Sequence, residues 1–232
     1  MLIERLNWDS DFFGYEVGKM ECHNKINKID FLRAASDSNF EVVYLFSDYE
    51  LPELGLDLVD RKVTFHRNLA KIETFYDHLN AIYSYSYSDD SFEQLCGLAL
   101  DSGVYSRFNV DNNFKNHEYE KLYYEWIKQS VLGGKAFDSI VYFEQEKLLA
   151  FATLERKSTH LADIGLVAVH KNARGKGIGN SIIMKCLKKA RNAGFSEIQV
   201  VTQQENIPAM RLYEKCGFKI QKVKFIYHYW NI

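Results

Sequence analysis

Three glycines at alternate positions, Gly175, Gly177 and Gly179, stand at the mouth of a helical pattern in HKNARGKGIGNSIIMKCLKKARNAG, residues 170–194. Glycine inside a helix costs about 0.5–1 kcal/mol relative to alanine, so helix stability does not explain them. They suit a loop whose backbone something must approach closely. The first N–H groups of a helix are unpaired, point outward and carry partial positive charge, which makes that end an anion site best suited to phosphate. Arg174 and Lys176 set full charges beside it. The plain alternative is a glycine turn joining a strand to a helix.

The spacing restricts which phosphate ligand is meant. A Walker loop requires G-x-x-x-x-G-K-[ST], which the chain lacks. A dinucleotide fingerprint requires G-x-G-x-x-G and an acid after the next strand, whereas GKGIGN reads G-x-G-x-G and EIQVVTQ runs into Gln203 and Gln204.

The elements that must position this loop follow from periodicity. Ile178, Ile182, Ile183, Cys186, Leu187 and Ala190 form one apolar stripe, which predicts a buried helix face. Lys185, Lys188, Lys189 and Arg191 read as its solvated side, with the helix dipole favouring cations near the end. Upstream, DSIVYFEQ, KLLAFATLER and DIGLVAVH read as strands, the first two joined by a tight turn near Glu146. Downstream come the strand EIQVVTQ, the helix IPAMRLYEKCG and the aromatic strand FKIQKVKFIYHYW. The first third reads as strand, helix, strand, strand: YEVGKMEC, KINKIDFLRAASDS, EVVYLFS and DLVDRKVTFHRNLA. A restart is expected at about 71–77. YSYSYSDD reads as a half-exposed strand ending in a helix cap at Asp90 or Ser91, followed by helices in DDSFEQLCGLAL and NHEYEKLYYEWIKQSV. The fold class expected is α/β (α+β), with covered sheet faces.

Composition narrows the partners. The 232 residues carry 26% charged and 47% hydrophobic side chains, an ordinary globular balance. A net charge of −2 gives no reason to expect nucleic acid. No apolar stretch approaches the ~20 residues that span a bilayer, and MLIERLNWDSDFFG lacks the pattern of a secretory signal. Cys22, Cys96, Cys186 and Cys216 form no C-x-x-C pair, so neither a zinc knuckle nor a redox motif is expected, and no metal. A cytoplasmic location suits such thiols. A homodimer is left open.

At this point the residues carry a resemblance. LVAVHKNARGKGIGNSII resembles the acyl-CoA signature (Q/R)-x-x-G-x-G/A of the GNAT superfamily of N-acetyltransferases, at Arg174, Gly177 and Gly179. NIPAMRLYEKCGFK is similar to that family's N-x-x-A-x-x-L-Y-x-x-x-G-F segment, at Asn206, Ala209, Leu212, Tyr213, Gly217 and Phe218. The two lie in order, separated by a helix and a strand. The resemblance spans roughly 77–230 and implies a mixed, mostly antiparallel sheet with flanking helices, splayed centrally to admit a thioester. It implies acetyl-CoA as co-substrate. The amides of Arg174, Gly175, Lys176, Gly177, Ile178, Gly179 and Asn180 would cradle its pyrophosphate. The backbone of Val167, Ala168 and Val169 would pair with its pantetheine arm, a backbone N–H at the splay would polarise the carbonyl, and Asn206 would touch the arm. Tyr213 matches the family's general acid; a phenol with a reference pKa of about 10 is protonated at neutral pH. The amine would attack directly. His160, Asp163, Glu155 and His117, or a water chain, are alternatives for its base.

A second resemblance bears on the acceptor. LNWDSDFFG, and YSRFNVDNNF followed by YEKLYYEWIKQSV, resemble segments of bacterial TDP-fucosamine acetyltransferases, which acetylate a nucleotide-linked amino deoxysugar. This implies a small truncated β-α-β-β domain over 1–75 before the acetyltransferase domain over 76–232. It also implies a small-molecule amine acceptor, a nucleotide amino sugar of the TDP-4-amino-4,6-dideoxyhexose type, serving cell-surface polysaccharide. Arg107 and Phe108 would bind it, Arg107 as a planar donor fork for the diphosphate and Phe108 as aromatic surface. An acetyltransferase for a peptide N-terminus or small amine, and a non-catalytic acyl-CoA-binding module, are the other readings. An aminoglycoside is disfavoured because no dense acidic run is present.

Overall fold

The computed structural model describes residues 2–70 and 81–231. Ten strands form one sheet: β1 (Glu4–Arg5), β2 (Val17–Cys22), β3 (Val42–Ser47), β4 (Leu58–Asn68), β5 (Ile82–Ser84), β6 (Ala136–Glu144), β7 (Lys147–Arg156), β8 (Leu161–Val169), β9 (Glu197–Gln203) and β10 (Lys219–Trp230). Their spatial order is β1-β2-β3-β10-β4-β9-β8-β7-β6-β5. Only the β2–β3 and β8–β9 pairs are parallel; the rest are antiparallel.

The helices are α1 (Asn7–Phe13), α2 (Lys28–Ser36), α3 (Asp89–Ser102), α4 (Arg107–Val110), α5 (Glu118–Val131), α6 (Ile178–Asn192) and α7 (Ile207–Lys215). All six residues of the expected α6 stripe are buried. They pack with Val63, Phe65, Ile198 and Val200 on one sheet face. The opposite face is covered by Leu95, Leu98 and Ala99 of α3 and Tyr123 and Ile127 of α5, against Phe151, Leu166 and Ala168. Around β3 the same two-sided arrangement continues. Phe31 and Ala35 of α2 cover Val43 and Leu45, while Phe13 of α1 and Phe108 of α4 join the cluster around Tyr44.

The β6–β7 hairpin turns through Gln145 and Glu146, both with positive φ (49° and 64°), as a tight right-twisted turn demands. The first third contains the expected strand-helix-strand-strand as β2, α2, β3 and β4, preceded by β1 and α1, which periodicity did not announce. The helix cap expected at Asp90 or Ser91 falls instead at Ser88; Ser91 Oγ donates back to the Ser88 carbonyl at 3.0 Å. The expected restart at 71–77, and the domain boundary at 75/76, lie outside the described residues. β4, from the N-terminal side of that boundary, is hydrogen-bonded to β10 on one edge and β9 on the other.

Candidate active site

The parallel ladder between β8 and β9 ends at Ile164–Val200, yet β8 continues to Val169 and β9 to Gln203. The strands part beyond that register, leaving the β9-facing edge of Val167, Ala168 and Val169 without a ladder partner, while their other edge pairs with Ala152, Phe151 and Ala150 of β7. A register shift between Ala152 and Leu154 marks the start of the divergence. There the buried Thr153 hydroxyl accepts the Leu166 N–H at 2.9 Å.

A cavity of about 710 Å³ opens at this wedge and draws its walls from both sheet faces. Ile178, Gly179 and Asn180 of α6 and Tyr213 of α7 stand on one side; Tyr123 and Trp126 of α5 and Arg107 and Phe108 of α4 stand on the other. Val167, Ala168, Val169, Arg174, Gly175, Gly177 and Asn206 also line it. The structure therefore brings together the residues expected to bind acetyl-CoA and the acceptor and to act as acid, except Lys176, which is exposed; the base alternatives His117, Glu155, Asp163 and His160 do not line the cavity either.

The glycine loop is built for close approach. Gly175 and Gly177 hold φ of 78° and 80°, and a Cβ at either would meet nothing within 4 Å, so the space above the backbone is open. Gly177 is the N-cap of α6, whose first intrahelical bond runs from the Ser181 N–H to the Gly177 carbonyl at 3.1 Å. The amides of Ile178, Gly179 and Asn180 precede that bond and have no partner within the helix. Gly179 has a different function: its Cβ would lie 3.3 Å from Leu212 Cδ2 and 3.5 Å from Val169 Cγ2, so it lets α6 close on α7. Arg174 Nε donates to the Val169 carbonyl at 3.0 Å, fixing the loop to the end of β8. Asn206 caps α7, its Oδ1 accepting from the Ala209 N–H at 3.3 Å, and still lines the cavity.

Tyr213 is buried, its ring against Phe65 and Phe218 at centroid distances of 5.6 and 6.1 Å. Burial pushes its phenol above the usual range, so it holds its proton at neutral pH.

On the opposite side, Arg107 rests its guanidinium over the Tyr44, Phe108 and Phe46 rings at 4.3, 4.5 and 5.4 Å. Among the described residues it forms no ion pair. Its helix is held from below. The Asp111 N–H bonds the Arg107 carbonyl, and Asp111 Oδ2 takes His228 Nδ1 at 2.6 Å and Trp230 Nε1 at 2.9 Å. Burial pushes His228 down to about 4, so it is neutral and donates through Nδ1. Despite its burial, Asp111 is held down to about 2 by the hydrogen bonds from His228, Asn113 and Trp230.

The base alternatives separate by environment. His117 and His160 are exposed. Glu155 is engaged by Trp126 Nε1 at 2.9 Å and lies 3.7 Å from Lys135. Asp163 stands one residue before the parting of the strands, and its Oδ1 is buried without a hydrogen-bond partner. Desolvation raises its carboxyl to about 6. Two further residues escaped the sequence reading: Asp60 and Lys62 of β4, which line the cavity beneath Arg107. Their signal was available, since they alternate with Val63 and Phe65 and so fall on the face away from α6. Among the described residues no cluster of His, Cys, Asp or Glu could hold a metal, and no helix there is long and apolar enough to cross a membrane.

Comparison with known proteins matches this architecture. Residues 72–218 match the model of the Acetyltransferase (GNAT) family. The spore coat polysaccharide biosynthesis protein SpsD of Bacillus subtilis is 26% identical over 138 residues, 60% of this chain and 47% of that protein. Streptothricin acetyltransferase of Escherichia coli is 35% identical over 85 residues, 36% of this chain and 49% of the relative. The chain thus spans about half the length of these curated relatives. A conserved protein of unknown function from Staphylococcus epidermidis shares the fold with a TM-score of 0.66 at 11% identity, over 94% of this chain and 85% of its own. The GCN5-related glucosamine N-acetyltransferase region of a fungal multi-domain beta-N-acetylglucosaminidase superposes with a TM-score of 0.58 at 13% identity, over 85% of this chain and 26% of that one.

Proposed function

Because this chain belongs to the GNAT family of acetyltransferases, we propose that it moves an acetyl group from acetyl-CoA to the amine of a nucleotide-linked amino deoxysugar. The observation that carries the acceptor assignment is Arg107: a half-buried cation braced on three aromatic rings, facing the cavity, with no carboxylate in ion-pair range among the described residues. A guanidinium fork so placed suits the oxygens of a diphosphate, and the rings beside it suit a sugar or base. The name of the Bacillus relative, a spore coat polysaccharide biosynthesis protein, supports a sugar acceptor.

Acetyl-CoA, when bound, supplies the activated thioester. The α6 N-terminus and the open backbone at Gly175 and Gly177 fit its pyrophosphate, and the unpaired edge of Val167 to Val169 fits the amides of its arm, as an added strand would. Tyr213 Oη holds the proton that the departing sulfur requires.

The test is an amine panel assayed by release of CoA thiol, containing TDP- and UDP-linked 3-amino and 4-amino sugars, free amino sugars, small amines and peptide N-termini. Turnover of the nucleotide sugars is expected. In Arg107→Ala the nucleotide sugar should bind about 10–150-fold more weakly, from the ~1.5–3 kcal/mol of a charge-assisted hydrogen bond, with acetyl-CoA affinity nearly unchanged. Turnover of small amines or peptides alone would favour the small-amine reading, and acetyl-CoA binding without any turnover a non-catalytic module.

A further inference from the structure

Asp60 is 7% exposed on the cavity floor, and its Oδ1 is buried with no hydrogen-bond partner. A buried acceptor left unmade costs about 1–3 kcal/mol, more for a charged group, so such an atom facing a cavity is matched to something that enters it. The available protein partners do not satisfy it. Arg107 and Lys62 act on Asp60 through their charge, but among the described residues no ion pair forms to it. Gln203, on β9, favours its charged form through a side-chain hydrogen bond that leaves Oδ1 unpartnered, and desolvation still raises the carboxyl to about 7.

The placement says which part of a ligand it meets. β4 runs antiparallel to β9, with Phe65 opposite Val200 where the strands part and Lys62 opposite Gln203. Asp60 lies beyond Lys62, several residues from the parting point and on the Arg107 side. Five residues of strand separate Asp60 from Phe65, roughly 16 Å at the usual rise per residue, which is too far to take a proton from an amine held where β8 and β9 part. It is well placed for the body of the acceptor, between the amine and the anion at Arg107. Resting on the amino-sugar reading above, we propose that Asp60 is a specificity residue that accepts a hydrogen bond from a ring hydroxyl of the acceptor, so that the enzyme selects a hydroxylated ring over an aliphatic amine of equal basicity. A site built to hydrogen-bond a hydroxyl rejects the analogue lacking it, because its own polar group is then left unpaired.

The experiment pairs Asp60→Asn with a series of the nucleotide amino sugar lacking one ring hydroxyl at a time. Wild type should lose about 10–150-fold in kcat/KM on one of these analogues, mainly through KM. Asp60→Asn should show a similar loss on the parent sugar and no further loss on that analogue, with acetyl-CoA affinity unchanged. The proposal is overturned if the variant turns over the parent within three-fold of wild type, if both proteins discriminate against the analogue equally, or if the loss is confined to kcat, as a base would give. Should Asp60→Asn fail to fold, the analogue series on wild type reads the same contact, and no analogue worse than three-fold overturns it. If wild type acetylates no nucleotide amino sugar, the reading it rests on falls and takes this inference with it. Turnover of the parent sugar with an indifferent Asp60 removes the inference alone.

Discussion

Replacing Tyr213 with phenylalanine removes one oxygen and tests the chemistry at the wedge directly. The ring's packing on Phe65 and Phe218 survives the change, so stability should shift by no more than about 1 kcal/mol, the worth of one hydrogen bond. Truncation to alanine would instead cost about 3–5 kcal/mol by opening a cavity in a closed core, and its loss of activity would say nothing about the hydroxyl. If Tyr213 Oη supplies the proton to the departing sulfur, Tyr213→Phe should lower kcat by about 10²–10⁴, or about 3–5 kcal/mol of barrier. Acetyl-CoA should bind as before. Because burial raises the phenol above its usual range, the hydroxyl stays protonated throughout pH 7–9, and the deficit should be constant across that window. The assay is single-turnover thiol release with saturating acetyl-CoA, which separates chemistry from product release. A rate within a few-fold of wild type under those conditions would make Tyr213 a packing residue and return the proton to water.

Gly177→Val should fold, with a strain of about 1–2 kcal/mol from a side chain forced to the φ of 80°, and should lose acetyl-CoA binding by calorimetry. Gly179→Ala, whose methyl meets only the mobile end of Leu212 and Val169, should keep most of it, and equal losses in both would refute the division between loop and packing glycine. Asp163→Asn should stabilise the protein in a pH-dependent way. The folded carboxyl titrates near 6, above the ordinary value of about 4, so its burial costs nothing while both states are protonated, and a penalty that opens as pH rises past about 4 is complete once pH passes 6. The variant's thermal midpoint should match wild type near pH 4 and exceed it by the equivalent of about 1–3 kcal/mol above pH 7; a gap independent of pH would exclude this cause.

Local signals carried much of this architecture. The α6 stripe, the β6–β7 turn and the strand in DIGLVAVH each rest on neighbours within one element, and each is present as read. α1 and α4 were not announced. α1 spans seven residues, begins after Leu6 without a side-chain cap, and divides its aromatics between exposed Trp8 and inward-facing Phe13. α4 is a single turn. Arg107, the first residue of α4, was found only through resemblance, since one basic residue next to a phenylalanine has no period to read. What made Arg107 interpretable was the absence of an ion pair among the described residues and the burial of its neighbours, which depends on β3 and β10 meeting across at least 178 residues of chain (Ser47 to Phe225). Asp60 had its alternation with Val63 and Phe65 to place it on the face away from α6, but its position beneath Arg107 depends on β4 lying between β9 and β10, strands distant in sequence.

The position of β4 explains why the Arg107 half of the cavity, where we propose the acceptor binds, draws on both ends of the chain. β8, β9 and α6 form the wedge and the anion loop from consecutive sequence. They leave the sheet open at β9, and the next strand in space is β4, from the N-terminal third, followed by β10 and then β3. Asp60, Lys62 and Phe46 therefore line the cavity beneath Arg107, whose guanidinium also rests on the buried Tyr44 ring, while Asp111, on the loop after α4, is tied to His228 and Trp230 at the other terminus. The half proposed to hold the thioester can thus follow a motif in one stretch, whereas the half proposed to hold the acceptor depends on three distant segments held in register by one sheet. Substitutions in β3, β4 or the last turn of β10 should accordingly change the choice of amine without touching the loop at Gly175 and Gly177, because the two halves meet only where β8 and β9 part.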